Sequence, residues 1–205
     1  TRVKLYLPDN AQSADTLYMI RASMSDLKAM DENCEYGRLE ITLQNMREED
    51  WAENWKQYFK PLTIGEKILI CPRWEAVPEN NDGRIIFSIE PGMAFGTGTH
   101  ESTKLCIEAG EKHVRKGDMV LDLGCGSGIL SIIALLLGAE HAFAVDIDSN
   151  AVDIAYKNAD MNGVDKERYT VVSGNVLVDT EVRERIAQDK YNVVFVNIVA
   201  DVIKA

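Results

Sequence analysis

From residue 100 to residue 197 the chain alternates helix-forming and strand-forming segments, and this alternation constrains the fold more than any other feature of the sequence. Helices are predicted at 100–114, 129–137, 149–162 and 180–188, and strands at 118–123, 141–146, 169–173 and 191–197. The segments HAFAVDI and YNVVFVN are apolar at nearly every position, as strands covered by helices on both faces must be. The pattern therefore predicts an α/β fold with a doubly wound sheet.

The first part of the chain is organised differently. Residues 2–7 alternate as a strand, residues 14–30 carry apolar side chains at helical spacing, and GRLEITLQNM alternates as a second strand. These segments predict a small α/β module over residues 1–46. Such a module is too short to bury much of a core by itself, so we interpret it as partial.

A linker helix is predicted over residues 47–62. Its core, EEDWAENWKQYFK, begins with acidic residues, places Trp51 and Trp55 on one face, and ends at Pro61. We interpret the aromatic face as a packing surface rather than a platform for stacking nucleobases. The main domain then covers residues 63–205, and it opens with two predicted strands, KILICPRWEAVP and GRIIFSIEP, joined by the polar turn ENNDG.

The last predicted strand, YNVVFVN, lies close to the end of the sequence at Ala205. An apolar strand in this position has an open edge, which proteins normally cover or protect with charge. We therefore expect the chain to be a fragment whose sheet is truncated at the carboxyl end.

Charge and cysteine content argue against several classes of function. The formal net charge of −11 disfavours binding to nucleic-acid phosphates and to anionic membranes. The four cysteines are far apart and the histidines number only three, so neither a disulfide framework nor a metal site is expected. No apolar run reaches the roughly 18 residues of a membrane span. These features favour a reduced, cytoplasmic protein.

A glycine-rich loop follows the strand at 118–123. In DLGCGSG the residues Gly124, Gly126 and Gly128 stand at every second position, at the strand end where open α/β sheets bind ligands. Glycine permits a tight turn and a close approach of a ligand to the backbone. The next strand ends at Asp146, 22 residues after Gly124, where a carboxylate can accept ribose hydroxyls. The two features together predict a cofactor that contains adenosine.

The spacing within the loop distinguishes between cofactors. The dinucleotide pattern GxGxxG fails because its sixth position is Ile129, and no lysine follows as a phosphate-binding loop requires. The remaining pattern, DxGxGxG with Asp122 in front, is typical of enzymes that use S-adenosyl-L-methionine. An NAD-dependent oxidoreductase and a glycine turn without a ligand are the alternatives. We interpret Cys125 as a small packing residue.

Five stretches make the chain resemble the PrmA family, which methylates ribosomal protein L11 of the large subunit. They are EEDWAENWKQYFKPLTIGEKILICPRWE, IEPGMAFGTGTHESTKLCIE, VLDLGCGSGILSIIALLLGA, VDIDSNAVDIAYKNADMNGV and VVFVNIVAD. The stretch AFGTGTH is the most specific of them. The resemblance implies a Rossmann-like class I methyltransferase domain at 63–205, preceded by a substrate-recognition module. It also implies transfer of methyl groups to lysine amines, with the N-terminal amine as a further candidate.

The resemblance also implies which residues bind the cofactor. The AFGTGTH loop and a threonine beyond it close over the cofactor, and the glycine loop holds its methionine part. Asp146 holds the ribose, Ile147 lies against adenine, and Asn175 flanks it. The implied set is Phe95, Gly96, Thr97, Thr103, Gly124, Gly126, Gly128, Asp146, Ile147, Asn175 and Asn197.

Asn197 is the candidate catalytic residue, because the resemblance places it beside the methyl group. A lysine amine must lose its proton to react, which costs roughly 4.6 kcal/mol at pH 7. Desolvation beside a sulfonium lowers that cost without a dedicated base. The side-chain oxygen of Asn197 can accept a hydrogen bond from the amine and orient it. The alternative is a strand-end asparagine that satisfies backbone groups. Ile198 and Val199 follow, unlike the Pro-Pro-aromatic run of glutamine- and adenine-methylating enzymes.

Other polar and aromatic residues are expected to be structural. They are Trp51, Trp55, His113 and His141, while His100 is interpreted as a helix cap. The acidic chain suits a basic ribosomal protein as partner, with no direct contact to nucleic acid. A lysine methyltransferase with another protein target, and a cofactor-binding module without turnover, stay open as alternatives.

Overall fold

A computed structural model describes residues 5, 11–31, 35–37, 39–43, 59–90, 98 and 100–199. The chain divides into two compact units, residues 1–54 and residues 55–205. Nearly all of the predicted linker helix, including both tryptophans, lies outside the described residues.

The first unit contains helix α1, Ala11–Met30, which overlaps the helix predicted at 14–30. The strand predicted at 2–7 lies outside the described residues apart from Leu5. In GRLEITLQNM the described residues 39–43 belong to no strand, so that part of the prediction is wrong. The reason is local, because Gly37 and Leu39 have φ of 80° and 48°, and both values break an extended backbone.

A three-stranded sheet opens the second unit. Its strands are β1 (Leu62–Ile64), β2 (Ile68–Pro72) and β3 (Ile85–Ile89), in the order β1-β2-β3. Strands β2 and β3 confirm the two predicted strands, but they pair in parallel, whereas β1 and β2 are antiparallel. The stretch ENNDG is therefore part of a longer crossover connection, since parallel strands cannot be joined by a tight turn.

The rest of the second unit alternates helix and strand. It comprises α2 (Glu101–His113), β4 (Met119–Leu123), α3 (Ile129–Leu136), β5 (His141–Asp146), α4 (Ser149–Met161), a 3₁₀ turn (Lys166–Arg168), β6 (Tyr169–Ser173), α5 (Thr180–Ile186) and β7 (Val193–Val196). The four strands are all parallel and lie in the order β6-β5-β4-β7. This confirms the predicted doubly wound α/β fold, with β7 at one edge among the described strands. The strand order reverses at β4, where such sheets bind ligands.

Both faces of β4 and β5 are buried, which explains why these strands are apolar. Val194 of β7 is 51% exposed, so the prediction that both faces are covered is wrong for that strand. Alternate residues of β4 and β5 point to opposite faces. Val120 and Ala144 belong to the larger core cluster, whereas Leu121 and Phe143 belong to a smaller cluster on the other face, which Val182 of α5 completes. The apolar runs therefore place the strand ends with little freedom to slip.

The turn between β1 and β2 is fixed to helix α2 by Glu111, near the end of that helix. Its two carboxylate oxygens accept hydrogen bonds from the backbone N–H groups of Glu66 and Lys67, at 3.0 and 2.9 Å. Gly65 begins this turn with φ of 55°, and a Cβ there would overlap the Glu111 carboxylate. The turn between β1 and β2 thus depends on an acceptor from the helix.

Among the helices that the structure describes, none is both long enough and apolar enough to cross a membrane.

Candidate functional site

A cavity of about 700 Å³ lies where β4, β5, β6 and β7 end. Its size is in the range of small-molecule sites, and its surface is mainly apolar. The cavity brings together six residues of the predicted cofactor set: Gly124, Gly126, Asp146, Ile147, Asn175 and Asn197. Phe95, Gly96 and Thr97 lie outside the described residues, so their predicted role stays a prediction.

The three loop glycines all have positive φ, but two of them lack a side chain for different reasons. At Gly124, with φ of 76°, a Cβ would overlap the side chain of Ile198, which lines the same cavity. Gly128, also at 76°, caps the start of α3 and is not among the lining residues. A Cβ there would lie 2.5 Å from the Tyr169 hydroxyl and 3.0 Å from Cβ of Ala155. The absence of a side chain at Gly124 thus permits the close approach of Ile198 in the cavity lining. At Gly128 it permits close packing against Tyr169 and Ala155 behind the loop.

The Asp146 carboxylate organises the loop from the end of β5. Its Oδ2 accepts a hydrogen bond from the N–H of Gly126 at 2.7 Å, and its Oδ1 accepts one from the N–H of Asp148 at 2.9 Å. A carboxylate oxygen has more than one acceptor direction, so both oxygens retain capacity toward a ligand in the cavity. Asp146 is half-buried there, which fits the role predicted for it with ribose.

Asp122 lies beneath the loop and is fully buried. Its Oδ2 accepts a hydrogen bond from the N–H of Ser131 at 3.1 Å, whereas Oδ1 has no partner among the described residues. Burial raises the pKa of Asp122 to about 6, and the charge of Asp146 adds to the rise, while hydrogen bonds from Ser131 oppose it. The motif therefore contains a carboxylate that titrates in the folded protein well above its usual range.

Asn197, directly after β7, lies close to Thr103 of α2. The side-chain nitrogen of Asn197 donates a hydrogen bond to the Thr103 hydroxyl at 3.1 Å. Thr103 is buried, whereas Asn197 lines the cavity. This hydrogen bond fixes the orientation of the amide, whose carbonyl oxygen is the acceptor that Asn197 can offer to a ligand. The structure thus places Thr103 behind Asn197 rather than in the cavity wall.

The remaining predicted residues have defined positions. Ile147 is 72% exposed at the rim of the cavity. Asn175 accepts a hydrogen bond from the N–H of Leu177 at 3.0 Å, which shapes the turn after β6. His100 caps α2 by accepting from the N–H of Ser102, as interpreted from the sequence. Burial raises the pKa of the Cys125 thiol far above its usual range, so it is an inert packing group.

Sequence reasoning missed a layer of polar residues behind the loop. The hydroxyl of Ser131 lies 3.0 Å from that of Tyr169 and donates to the carbonyl of Gly128 at 3.1 Å. The side chain of Asn158 donates to the carbonyl of Ser127 at 2.9 Å. The available signal was a polar residue inside an apolar helical face, such as the serine of ILSIIALL. Within the described ranges, no group of three or more His, Cys, Asp or Glu side chains could hold a metal ion.

Comparisons with known proteins identify the family of this chain. All of residues 1–205 match the family described as "Ribosomal protein L11 methyltransferase (PrmA)". A ribosomal protein L11 methyltransferase from Lachnospira eligens is 40% identical over 203 residues, covering 99% of this chain and 63% of the relative. One from Alkaliphilus metalliredigens is 42% identical over 201 residues, covering 98% and 60%. The chain thus spans about three fifths of the length of these curated relatives.

A solved structure supports the same assignment. The crystal structure of ribosomal protein L11 methylase from Lactobacillus delbrueckii subsp. bulgaricus superposes with a TM-score of 0.61 and is 29% identical. The match covers 71% of this chain and 69% of that one. The sequence match over the whole chain and the shared fold lead to one conclusion: this chain belongs to the ribosomal protein L11 methyltransferase (PrmA) family.

Proposed function

We propose that the full-length protein is an S-adenosyl-L-methionine-dependent methyltransferase that acts on lysine amines of ribosomal protein L11, with the terminal amine as a further acceptor. The observation that carries the proposal is the meeting of the glycine loop, Asp146 and Asn197 around one cavity at the carboxyl ends of the parallel strands. Family membership supports both the reaction and the substrate. From this proposed substrate we infer that the reaction takes place in the cytoplasm.

The described residues fit this cofactor. Gly124 and Gly126 present backbone without side chains to the cavity, and the Asp146 oxygens can accept the ribose hydroxyls while they hold the loop. The exposed side chain of Ile147 offers an apolar surface to adenine. The bound cofactor would supply an electrophilic methyl group, so the protein's task is chiefly to align the acceptor.

Asn197 is the residue proposed to orient the acceptor amine. The Thr103 hydroxyl accepts a hydrogen bond from the amide nitrogen, which fixes the orientation of the side-chain amide and so of its acceptor, the carbonyl oxygen. An amine hydrogen bonded to that oxygen turns its lone pair away from Asn197 and toward the reacting carbon. The apolar cavity disfavours the charged form of the lysine, which lowers its pKa and raises the reactive fraction.

Charge supports a basic protein as the partner. The net charge of −11 attracts a basic ribosomal protein through long-range electrostatic interaction. The same charge repels the phosphates of ribosomal RNA. We infer that the enzyme meets its substrate through protein surface, without direct contact to nucleic acid. An increase of the KM for ribosomal protein L11 with ionic strength is the corresponding expectation.

The decisive experiment is mass spectrometry of ribosomal protein L11 after incubation with the full-length protein and the cofactor. Calorimetric titration should show binding of S-adenosyl-L-methionine and no binding of NAD. Substitution Asn197→Ala should lower kcat by about 10- to 100-fold. Asn192→Ala is the matched control, because Asn192 holds the N–H of Met119 at the other end of β4.

Methyl groups found on ribosomal RNA and none on protein would overturn the proposal. Binding of the cofactor without transfer of a methyl group would instead indicate a cofactor-binding module that is not an enzyme.

A further inference from the structure

We propose that Asn158 and Asn162 are positioning residues, which carry a hydrogen-bonded path from the edge of the small sheet to the glycine loop and hold that loop ready for the cofactor. The inference deepens the proposed function and rests on it for the identity of the cofactor. Neither asparagine is among the cavity-lining residues, so both would act through the loop.

The path begins at β3, one of the two edge strands among the described strands of the small sheet. The side-chain oxygen of Asn162 accepts a hydrogen bond from the N–H of Ser88 at 2.7 Å, and its nitrogen donates to the carbonyl of Ser88 at 2.8 Å. An amide that pairs with both backbone groups of one residue replaces a neighbouring strand at this edge. Asn162 thereby fixes β3 to the end of α4.

The path continues along α4 to the loop. The same Asn162 nitrogen also donates to the carbonyl of Asn158 at 2.7 Å, and the side-chain nitrogen of Asn158 donates to the carbonyl of Ser127 at 2.9 Å. Ser127 lies between the last two glycines of the loop. One turn of helix therefore connects residues of β3 and of the loop that are 39 positions apart in the sequence.

The environment of Asn158 argues that the contact is specific. Asn158 is 2% exposed, and the other buried residues of α4 are Ala151, Ala155 and Ala159. An amide on an alanine face is costly to bury unless its polar atoms are paired. The carbonyl of Ser127 is the partner that offsets this cost on the nitrogen side.

The consequence is a loop whose conformation is held before any ligand arrives. Gly126 and Gly128 have φ of 51° and 76°, and the Asp146 carboxylate holds the loop from the cavity side. Asn158 holds it from the opposite side through Ser127. A loop fixed on both sides loses less conformational entropy when it binds a ligand, which raises affinity.

Hydrogen exchange of the full-length protein without cofactor tests the path directly. Asn158→Ala should raise exchange over residues 124–131 by about tenfold, and Asn162→Ala should raise it by a smaller factor. The double variant should behave like Asn158→Ala alone, because both act through one path. The control Asn192→Ala removes a comparable hydrogen bond and should leave exchange over 124–131 unchanged.

Cofactor binding supplies the functional readout. The Kd for S-adenosyl-L-methionine should rise by about tenfold in Asn158→Ala, while kcat at saturating cofactor stays within about twofold of the parent. Should Asn158→Ala fail to fold, exchange and Kd in Asn162→Ala decide the matter. Unchanged loop exchange, or a Kd within twofold of the parent in the folded variants, would overturn the proposal. A parent protein that binds no cofactor would refute the proposed function, whereas the exchange result would still test the path.

Discussion

The N–H of Gly126 donates a 2.7 Å hydrogen bond to Oδ2 of Asp146, so the carboxylate expected to bind ribose also holds the glycine loop. Affinity for the cofactor therefore depends on Asp146 in two ways. The carboxylate would bind the ribose directly, and it also holds the glycine loop in place. An asparagine at this position keeps an oxygen for Gly126, but it loses the charge and turns an amide NH₂ toward the N–H of Asp148.

We expect Asp146→Asn to weaken binding of S-adenosyl-L-methionine by about tenfold and Asp146→Ala by about 100-fold or more, since hydrogen bonds to a charged group contribute about 1.5–3 kcal/mol each. Calorimetry measures both. The matched control is Asp148→Ala, which removes the side-chain cap of α4 and lowers stability by about 1 kcal/mol with no change in affinity. Equal affinities of the parent and Asp146→Ala would refute the role of this residue.

Gly128 and Gly163 separate backbone strain from crowding. Both have positive φ, at 76° and 65°, but a Cβ at Gly163 meets nothing within 4 Å, whereas one at Gly128 meets the Tyr169 hydroxyl and Ala155. Gly163→Ala should lower the free energy of unfolding by about 1 kcal/mol through φ alone. Gly128→Ala should lower it by a further 1–3 kcal/mol, at about the magnitude of overpacking in a core. Urea unfolding of the two variants provides the comparison, and equal losses would show that the packing behind the loop is soft.

Asp122 predicts a specific dependence of stability on pH. Its pKa of about 6 in the folded protein lies above its ordinary value of 3.8, so between these values the folded protein holds a proton that the unfolded chain has released. The contribution of Asp122 to the free energy of unfolding therefore falls as pH rises from about 4 to about 6, by about 3 kcal/mol at most, and is constant above.

The variant Asp122→Asn lacks this titration. As pH rises from about 4 to about 6, the free energy of unfolding of Asp122→Asn minus that of the parent should increase. From about pH 7 upward this difference should stay constant. Urea unfolding at pH 4, 5, 6 and 7 measures the difference. Parallel curves for the two proteins across that range would contradict the elevated pKa.

The main sheet could be predicted from the sequence because its signals are local. The bounds of β5 and β6 agree with the prediction, since both strands are apolar runs that end at a polar residue, Asp146 and Ser173. Asp146 was predicted from its position at the end of β5, 22 residues after Gly124, whereas Asn197 was predicted only through the resemblance to the family. A parallel sheet brings such ends together at one edge, so the neighbourhood of the cavity followed from the strand order.

The parts that escaped prediction depend on contacts distant in sequence. The parallel pairing of β2 with β3 cannot be read from either strand, because each has the same apolar pattern in both orientations. The need for glycine at 128 comes from Tyr169, 41 positions later. The pairing of Asn162 with Ser88 is likewise invisible in the local pattern. Local periodicity specifies the elements, whereas these long-range contacts specify how the loop is supported.

The variant Glu111→Gln tests whether the stability of the small sheet and the cofactor affinity of the cavity are independent of each other. Its carboxylate accepts from the N–H groups of Glu66 and Lys67, and at 1.5 Å per helical residue it lies about 12 Å along α2 from Thr103. In Glu111→Gln an amide NH₂ replaces one acceptor and faces a backbone N–H. The free energy of unfolding should fall by about 1–3 kcal/mol, while cofactor affinity stays within about twofold of the parent. The control is Glu108→Gln on the same helix, which should change neither quantity. A loss of cofactor affinity in Glu111→Gln would show that the turn between β1 and β2 is coupled to the cavity through α2.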